Sequence, residues 1–122
     1  MKYLLTILFT FSLLAVQAQH KKLVVAQDGS GDYSSVQEAI DAIPAFPLGG
    51  VDVFVKNGTY HEKVVIPSWK TDIRLIGEDK HKTIISWDDY SGKGDINTFT
   101  SYTILVQGNG FRAENITFEN TA

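Results

Sequence analysis

The chain contains no cysteine, and that absence removes two ways of holding a small protein together. No disulfide can staple it, and no thiolate metal site can form. What remains is core packing or a backbone-rich repeat architecture. Histidine is scarce as well, with only His20, His61 and His81 in 122 residues. No two of them are spaced for a metal site. His20 and His81 sit in polar, lysine-bearing segments and are assigned no role. Basic residues are too few for a nucleic-acid footprint: 11 Lys and Arg are spread along the chain against 14 Asp and Glu, for a net charge of −3. There is no G-x-S-x-G elbow, so a serine esterase is unsupported.

A long hydrophobic run occurs only at the start. Lys2 supplies a positive n-region, and Leu4 to Val16 is apolar except for Thr6, Thr10 and Ser12. Val16-Gln17-Ala18 then offers the small residues that a signal peptidase reads. The run is short for a spanning helix. Residues 1–18 are therefore expected to be a cleaved signal peptide, and the chain to be secreted, extracellular or periplasmic, with no membrane attachment afterwards. Removing 18 of 122 residues leaves 104, enough for one small domain over 19–122.

The mature part begins with one short apolar strand, Leu23 to Ala26, and a glycine-rich loop, Gln27 to Tyr33. Gly29 and Gly31 there resemble part of a phosphate cradle, but no completed motif follows. A short helix comes next. Ser34 is the expected cap, with Gln37 reaching back to it as in a capping box. Val36, Ala39, Ile40 and Ile43 share one face, and Pro44 and Pro47 end the helix. From Val51 onward the pattern changes to about six short strands, mostly around ten residues apart. A polar insertion, Asp88 to Asn97, interrupts them. The last stretch reads as strand, tight turn and strand, with Ile104 and Val106 before Gly108-Asn109-Gly110 and Ile116 and Phe118 after it. It stops on an apolar strand with no closing element, so the chain is expected to be part of a longer protein.

A sandwich, a barrel and a β-helix all fit this spacing. Short strands rich in Val, Ile and Thr favour the β-helix. So do near-continuous apolar runs and a single early helix able to cap an open coil end.

Gly58-Thr59-Tyr60-His61-Glu62 is the sharpest local motif before the C-terminal pair. Gly58 supplies a turn. Tyr60 and Glu62 are expected on one strand face, as a structural pair or lining a groove, with His61 pointing the other way. Asp88, Asp89 and Asp95 bracket the insertion and read as a solvated loop, or at most a weak calcium contact, because the dense ligand pattern of a dedicated loop is missing. Thr98 offers a hydroxyl that a sugar could use. Tyr90, Phe99 and Tyr102 offer aromatic surface, which core packing explains equally well.

The order of segments resembles the N-terminal part of the pectinesterases, the pectin methylesterase family of carbohydrate esterases. The resemblance is carried by Val24 to Tyr33 (VVAQDGSGDY), Val36 to Ile40 (VQEAI), Gly58 to Val64 (GTYHEKV) and Leu75 to Glu78 (LIGE). It continues through Asn97 to Ser101 (NTFTS), Gly108 to Phe111 (GNGF) and Asn115 to Ala122 (NITFENTA). It implies an all-β fold, a right-handed parallel β-helix present in part, with a short N-terminal capping helix. It implies hydrolysis of methyl esters on polygalacturonate to carboxylate and methanol, without metal or organic cofactor. Pectin is the implied partner, and the full-length protein is expected to be a monomer.

In that family one aspartate attacks the ester carbonyl and a second serves as acid and base, assisted by glutamines and an arginine. No residue of this chain matches those positions, so the expected catalytic set here is empty and the chain alone is expected to be inactive. Thr98 aligns with the family's substrate-contacting threonine. Gly58, Tyr60 and Glu62 match its Gly-x-Tyr-x-Glu signature, with a structural or groove-lining role. Tyr102 stands where many members have alanine. The rival expectation is a pectin-binding module without catalysis.

Overall fold

A computed structural model describes residues 21–122. The expected signal segment, 1–18, lies outside the described residues, as does His20. The order of elements is β1 (Lys21–Val25), α1 (Val36–Ala42), β2 (Val51–Val55), β3 (Gly58–His61), β4 (Val64–Ile66), β5 (Ile73–Gly77), β6 (Thr83–Trp87), β7 (Ile104–Val106), β8 (Arg112–Glu114) and β9 (Thr117–Asn120).

Every pairing between these strands is parallel. Three sheets result, ordered β1-β2-β5-β8, β3-β6-β9 and β4-β7. The turns β2-β3-β4 and β5-β6-β7 each contribute one strand to each sheet, β1 precedes them and β8-β9 follow, so successive coils stack as a right-handed parallel β-helix. A sandwich or barrel of hairpins would show antiparallel ladders.

Stacking puts like residues over like. Leu23, Val53, Leu75 and Ala113 form one column, and Tyr60, Ile85 and Phe118 another. Alternate residues of β2, β4 and β5 point inward and are fully buried: Val51, Val53, Val55, Val64, Ile66, Ile73 and Leu75. β-Branched side chains suit these columns because they pack well on a pleated surface. Gly77 marks a close approach, since a Cβ there would lie 2.0 Å from the Asn115 carbonyl oxygen of the next coil.

Two devices close the first coil. The loop 27–33 folds back on the outer edge of β1. Asp32 and Tyr33 donate their N–H groups to the Val24 carbonyl, Ala26 N donates to Tyr33 O, and Val24 N donates to the Asp32 carboxylate at 2.8 Å. The edge is thereby blocked to further pairing. A Cβ on Gly31 would meet Val24 O at 2.6 Å, so this glycine serves strand contact and not a phosphate cradle. Helix α1 then lays Val36, Ala39 and Ile40 over the core, joined by its C-cap residue Ile43.

Its cap is Ser35, not Ser34: Ser35 Oγ accepts from Glu38 N at 3.2 Å. Gln37 turns away from the cap. Its amide donates to Val65 O at 3.0 Å and accepts from Val65 N at 2.8 Å, tying the helix to β4. At the other helix end the largely buried Lys70 donates to the carbonyls of Ile43 and Asp41, as a cation should at a helix C-terminus.

Eight strands follow the helix where about six are expected. β3, the strand expected to carry Tyr60, starts at Gly58, read as a turn, and stops at His61, short of Glu62, and β8 (Arg-Ala-Glu) is exposed throughout. Both are fixed by parallel pairing to a neighbouring coil, which an apolar pattern does not report. The final stretch also differs from strand, turn, strand. β7 pairs with β4, β8 with β5 and β9 with β6, so it contributes to three sheets in turn. Its apolar residues are only half-buried, and Val106 is 36% exposed, because no further coil covers them among the described residues.

Candidate functional site

Thr98 lies on the long connection between β6 and β7, residues 88–103, at the corner between two sheets. A closed turn presents it. Thr100 N donates to Asn97 O at 3.1 Å, Asn97 N donates to Thr100 Oγ1 at 2.9 Å, and Phe99 N donates to Asn97 Oδ1 at 2.8 Å. An asparagine that bonds the backbone two residues on is a common way to fix such a turn. Thr98 is exposed, and its hydroxyl has only a long contact of 3.4 Å, to Ser91 Oγ. Phe99 beside it is 89% exposed. An accessible hydroxyl beside an uncovered aromatic ring suits a sugar, with one group for hydrogen bonding and one for an apolar face.

The Gly-x-Tyr-x-Glu residues are not brought to Thr98. Tyr60 is buried in the core, and its hydroxyl donates to Lys56 O at 2.8 Å. Burial first, and then the Glu62 charge, push its phenol above the ordinary range. Glu62 lies just beyond the end of β3, where the strand alternation has stopped, so no Tyr60–Glu62 pair forms. Its two carboxylate oxygens instead accept from Val36 N at 2.8 Å and Gln37 N at 2.9 Å. Glu62 therefore caps α1, where a negative charge is also favoured by the helix dipole. Gly58 packs against Gln27, whose Oε1 would lie 2.5 Å from a Cβ. The geometry around all three residues is that of a scaffold.

The acidic insertion is not simply solvated. Asp89 is buried and forms an ion pair with Lys63 at 2.6 Å. Lys63 holds its carboxyl below the usual carboxylate range. The Trp87 indole adds to this, although its buried Nε1 completes no hydrogen bond of normal geometry. Asp88 pairs with Lys93 at 3.2 Å and raises that ammonium's pKa. Asp95 is exposed. Among the described residues no group of three or more His, Cys, Asp or Glu could hold a metal ion.

His61 faces outward and stacks on Trp87, with ring centroids 4.5 Å apart. Tyr90 is half exposed, and Tyr102 packs under the Lys63 ammonium. Asn120 on β9 braces the same corner, donating Nδ2 to Asp89 O at 2.9 Å. Lys63, Trp87 and Asn120 are the members of this corner that sequence reasoning missed. Lys63 and Asn120 carried a signal, one directly after the Gly-x-Tyr-x-Glu motif and the other inside Asn115 to Ala122; Trp87 carried none.

An ester hydrolase using carboxylates needs a nucleophile and an acid whose pKa is raised toward the working pH. The displaced aspartates here, Asp28 and Asp89, both move the other way, Asp28 chiefly through its bond from the Ser30 hydroxyl. An open cleft of about 620 Å³ lies elsewhere, lined by Gly49, Asp72, Arg74, Gly110 and Arg112. It shares no residue with the Thr98 corner, and its Arg74 is bonded to Asp52 through two nitrogens, at 2.5 and 3.0 Å.

Among the described residues no helix is long and apolar enough to cross a membrane. The pectinesterase family profile matches residues 22–122. A pectinesterase of Petunia integrifolia is 41% identical over 110 residues, covering 90% of this chain and 29% of the relative. A pectinesterase/pectinesterase inhibitor of Prunus persica is 41% identical over 99 residues, covering 81% and 19%. Among solved structures, pectin methylesterase from carrot is similar with a TM-score of 0.78 at 37% identity, over 88% of this chain and 33% of that one. Pectin methylesterase PemA from Erwinia chrysanthemi gives 0.74 at 26% identity, over 85% and 32%. The chain thus spans less than a third of the length of these curated relatives, and by fold, by motif order and by this match it belongs to the pectinesterase family.

Proposed function

We propose that this chain supplies the early coils and one substrate contact of a secreted pectin methylesterase, with residues 1–18 as its cleaved signal. The reaction is hydrolysis of galacturonate methyl esters in pectin to carboxylate and methanol. Thr98 contacts the polysaccharide, and Phe99 offers it an apolar face. The observation that carries the reading is a family match over 22–122 joined to an exposed threonine held on a closed turn. A family member of the same fold has been crystallised in complex with a hexasaccharide, which supports an oligosaccharide-sized groove. Neither the attacking carboxylate nor its acid partner is assigned to these 122 residues, because no aspartate or glutamine here matches the family's catalytic positions.

The test is a paired assay on the purified chain with methyl-esterified polygalacturonate. Binding without methanol release is expected, with Thr98→Ala weakening binding about fivefold, the worth of roughly one hydrogen bond. Methanol release lost on substitution of a carboxylate in this chain would overturn the empty catalytic set. The rival reading, a binding module without catalysis, draws on the same lack of a residue matching the family's catalytic positions. It is separated by reading the coding sequence past Ala122 for in-frame aspartate-bearing coils.

A further inference from the structure

A single ammonium holds both limbs of the connection that carries Thr98. Lys63 stands between β3 and β4, where the backbone is fixed on each side. Glu62 N donates to Ser86 O at 3.1 Å, and Val64 N donates to Thr103 O at 2.9 Å. From that fixed point Lys63 Nζ donates to Asp89 Oδ2 at 2.6 Å, on the outgoing limb. It donates also to Thr100 O at 2.5 Å, on the returning limb. Its third direction is closed by the Tyr102 ring, 4.6 Å from the ring centroid.

The grip on Thr100 matters most for Thr98. Thr100 closes the Asn97–Thr100 turn through both its N–H and its hydroxyl, so a displacement of its carbonyl moves the whole turn. The grip on Asp89 is reinforced from β9 by Asn120 and from within the loop by Lys93 at 3.6 Å. The Lys63 and Asp89 side chains are only 22% and 9% exposed, so this pair is partly shielded from the solvent screening that weakens surface ion pairs. Without the ammonium, the Asp89 carboxylate and the Thr100 carbonyl would lose the charge between them, and the sixteen-residue connection would be closed only by the Gly92 N–Ile96 O bond at 2.8 Å and the long Thr98–Ser91 contact. The turn would then sample many orientations.

We propose that Lys63 is a positioning residue, setting the orientation of Thr98 and Phe99 toward the polysaccharide without touching it. The inference rests on the reading that Thr98 contacts pectin.

The experiment uses the full chain and a methyl-esterified hexagalacturonate. Lys63→Met keeps the apolar stem over Tyr102 and removes the donors. It is expected to weaken binding about fivefold to tenfold, and in a Thr98→Ala background to add only the part that acts through Phe99, about twofold or less. Amide hydrogen exchange at 97–101 should accelerate in Lys63→Met, while exchange in β2 and β5 stays unchanged. Lys63→Arg should restore most of both effects, and Asp89→Asn should reproduce them in part if Lys63→Met fails to fold. Additive losses in the double variant would overturn the proposal, as would a binding defect in Thr98→Ala with none in Lys63→Met. If Thr98→Ala itself binds normally, the substrate contact fails and the inference built on it falls too. Altered exchange at 97–101 would then report a purely structural staple.

Discussion

Glu62 caps a helix from 26 residues away, and the N–H groups of the first turn can be accounted for one by one. Val36 and Gln37 donate to the Glu62 carboxylate, Glu38 to Ser35 Oγ, and Ala39 to Ser35 O at 3.4 Å. A helix start carries such orphan donors, and here all are satisfied. Glu62→Ala leaves two of them without partners and removes a charge from the dipole's positive end. We expect it to cost about 1–2 kcal/mol, read as a lower melting temperature, with Glu62→Gln intermediate. A variant melting as the wild type does would mean that water replaces the carboxylate at no cost. The motif containing Glu62 was visible in the sequence, but its job was not. The alternation rule paired Glu62 with Tyr60, and only the fold shows that β3 ends at His61. The same blindness to distant partners hid Gln37, whose bonds go to Val65 and not to the cap.

The element with the richest chemistry is the 88–103 connection, and its docking depends on an ionised Asp89. Lys63 holds that carboxyl low, so the folded pKa lies below the value in an unfolded chain, ~3.9. A lowered pKa contributes stability that is fully present above the unfolded value. That contribution is lost as pH falls through the folded value. The connection should therefore stay docked from neutral pH down to about 4, and release only below it. Hydrogen exchange at 97–101, measured at several pH values after correction for the intrinsic rate, checks this. Release well above the unfolded value would contradict the ion pair. The strands with alternating valines, β2 above all, were legible because one buried face leaves a period of two. β8 was not legible, since its three exposed residues owe their conformation to pairing with β5.

At the scale of the whole molecule the two ends of the solenoid differ. The first coil is closed by α1 and by the loop on β1. At the far end β7, β8 and β9 present edges that no strand covers among the described residues, beside the half-buried Ile104, Phe111, Ile116 and Phe118. In a stacked architecture each coil is stabilised chiefly by its neighbours, so this end is the weaker one. Unpaired parallel edges beside apolar surface invite association. Residues 19–122 expressed alone should show poor solubility and concentration-dependent self-association in sedimentation. A monomer with one sharp melt would count against this. The general architecture was open in the sequence to three solutions. Motif order narrowed it to the β-helix, because seven family segments in sequence constrain topology where periodicity does not.

We have proposed that these coils offer Thr98 and Phe99 to pectin. A backbone amide NMR titration of the full chain with methyl-esterified hexagalacturonate tests it most directly. Shifts are expected at residues 97–101 and at the adjoining corner of Trp87 and Asn120, and none around Arg74 and Arg112. Shifts confined to that arginine cleft, or no shifts at saturating oligosaccharide, would contradict it.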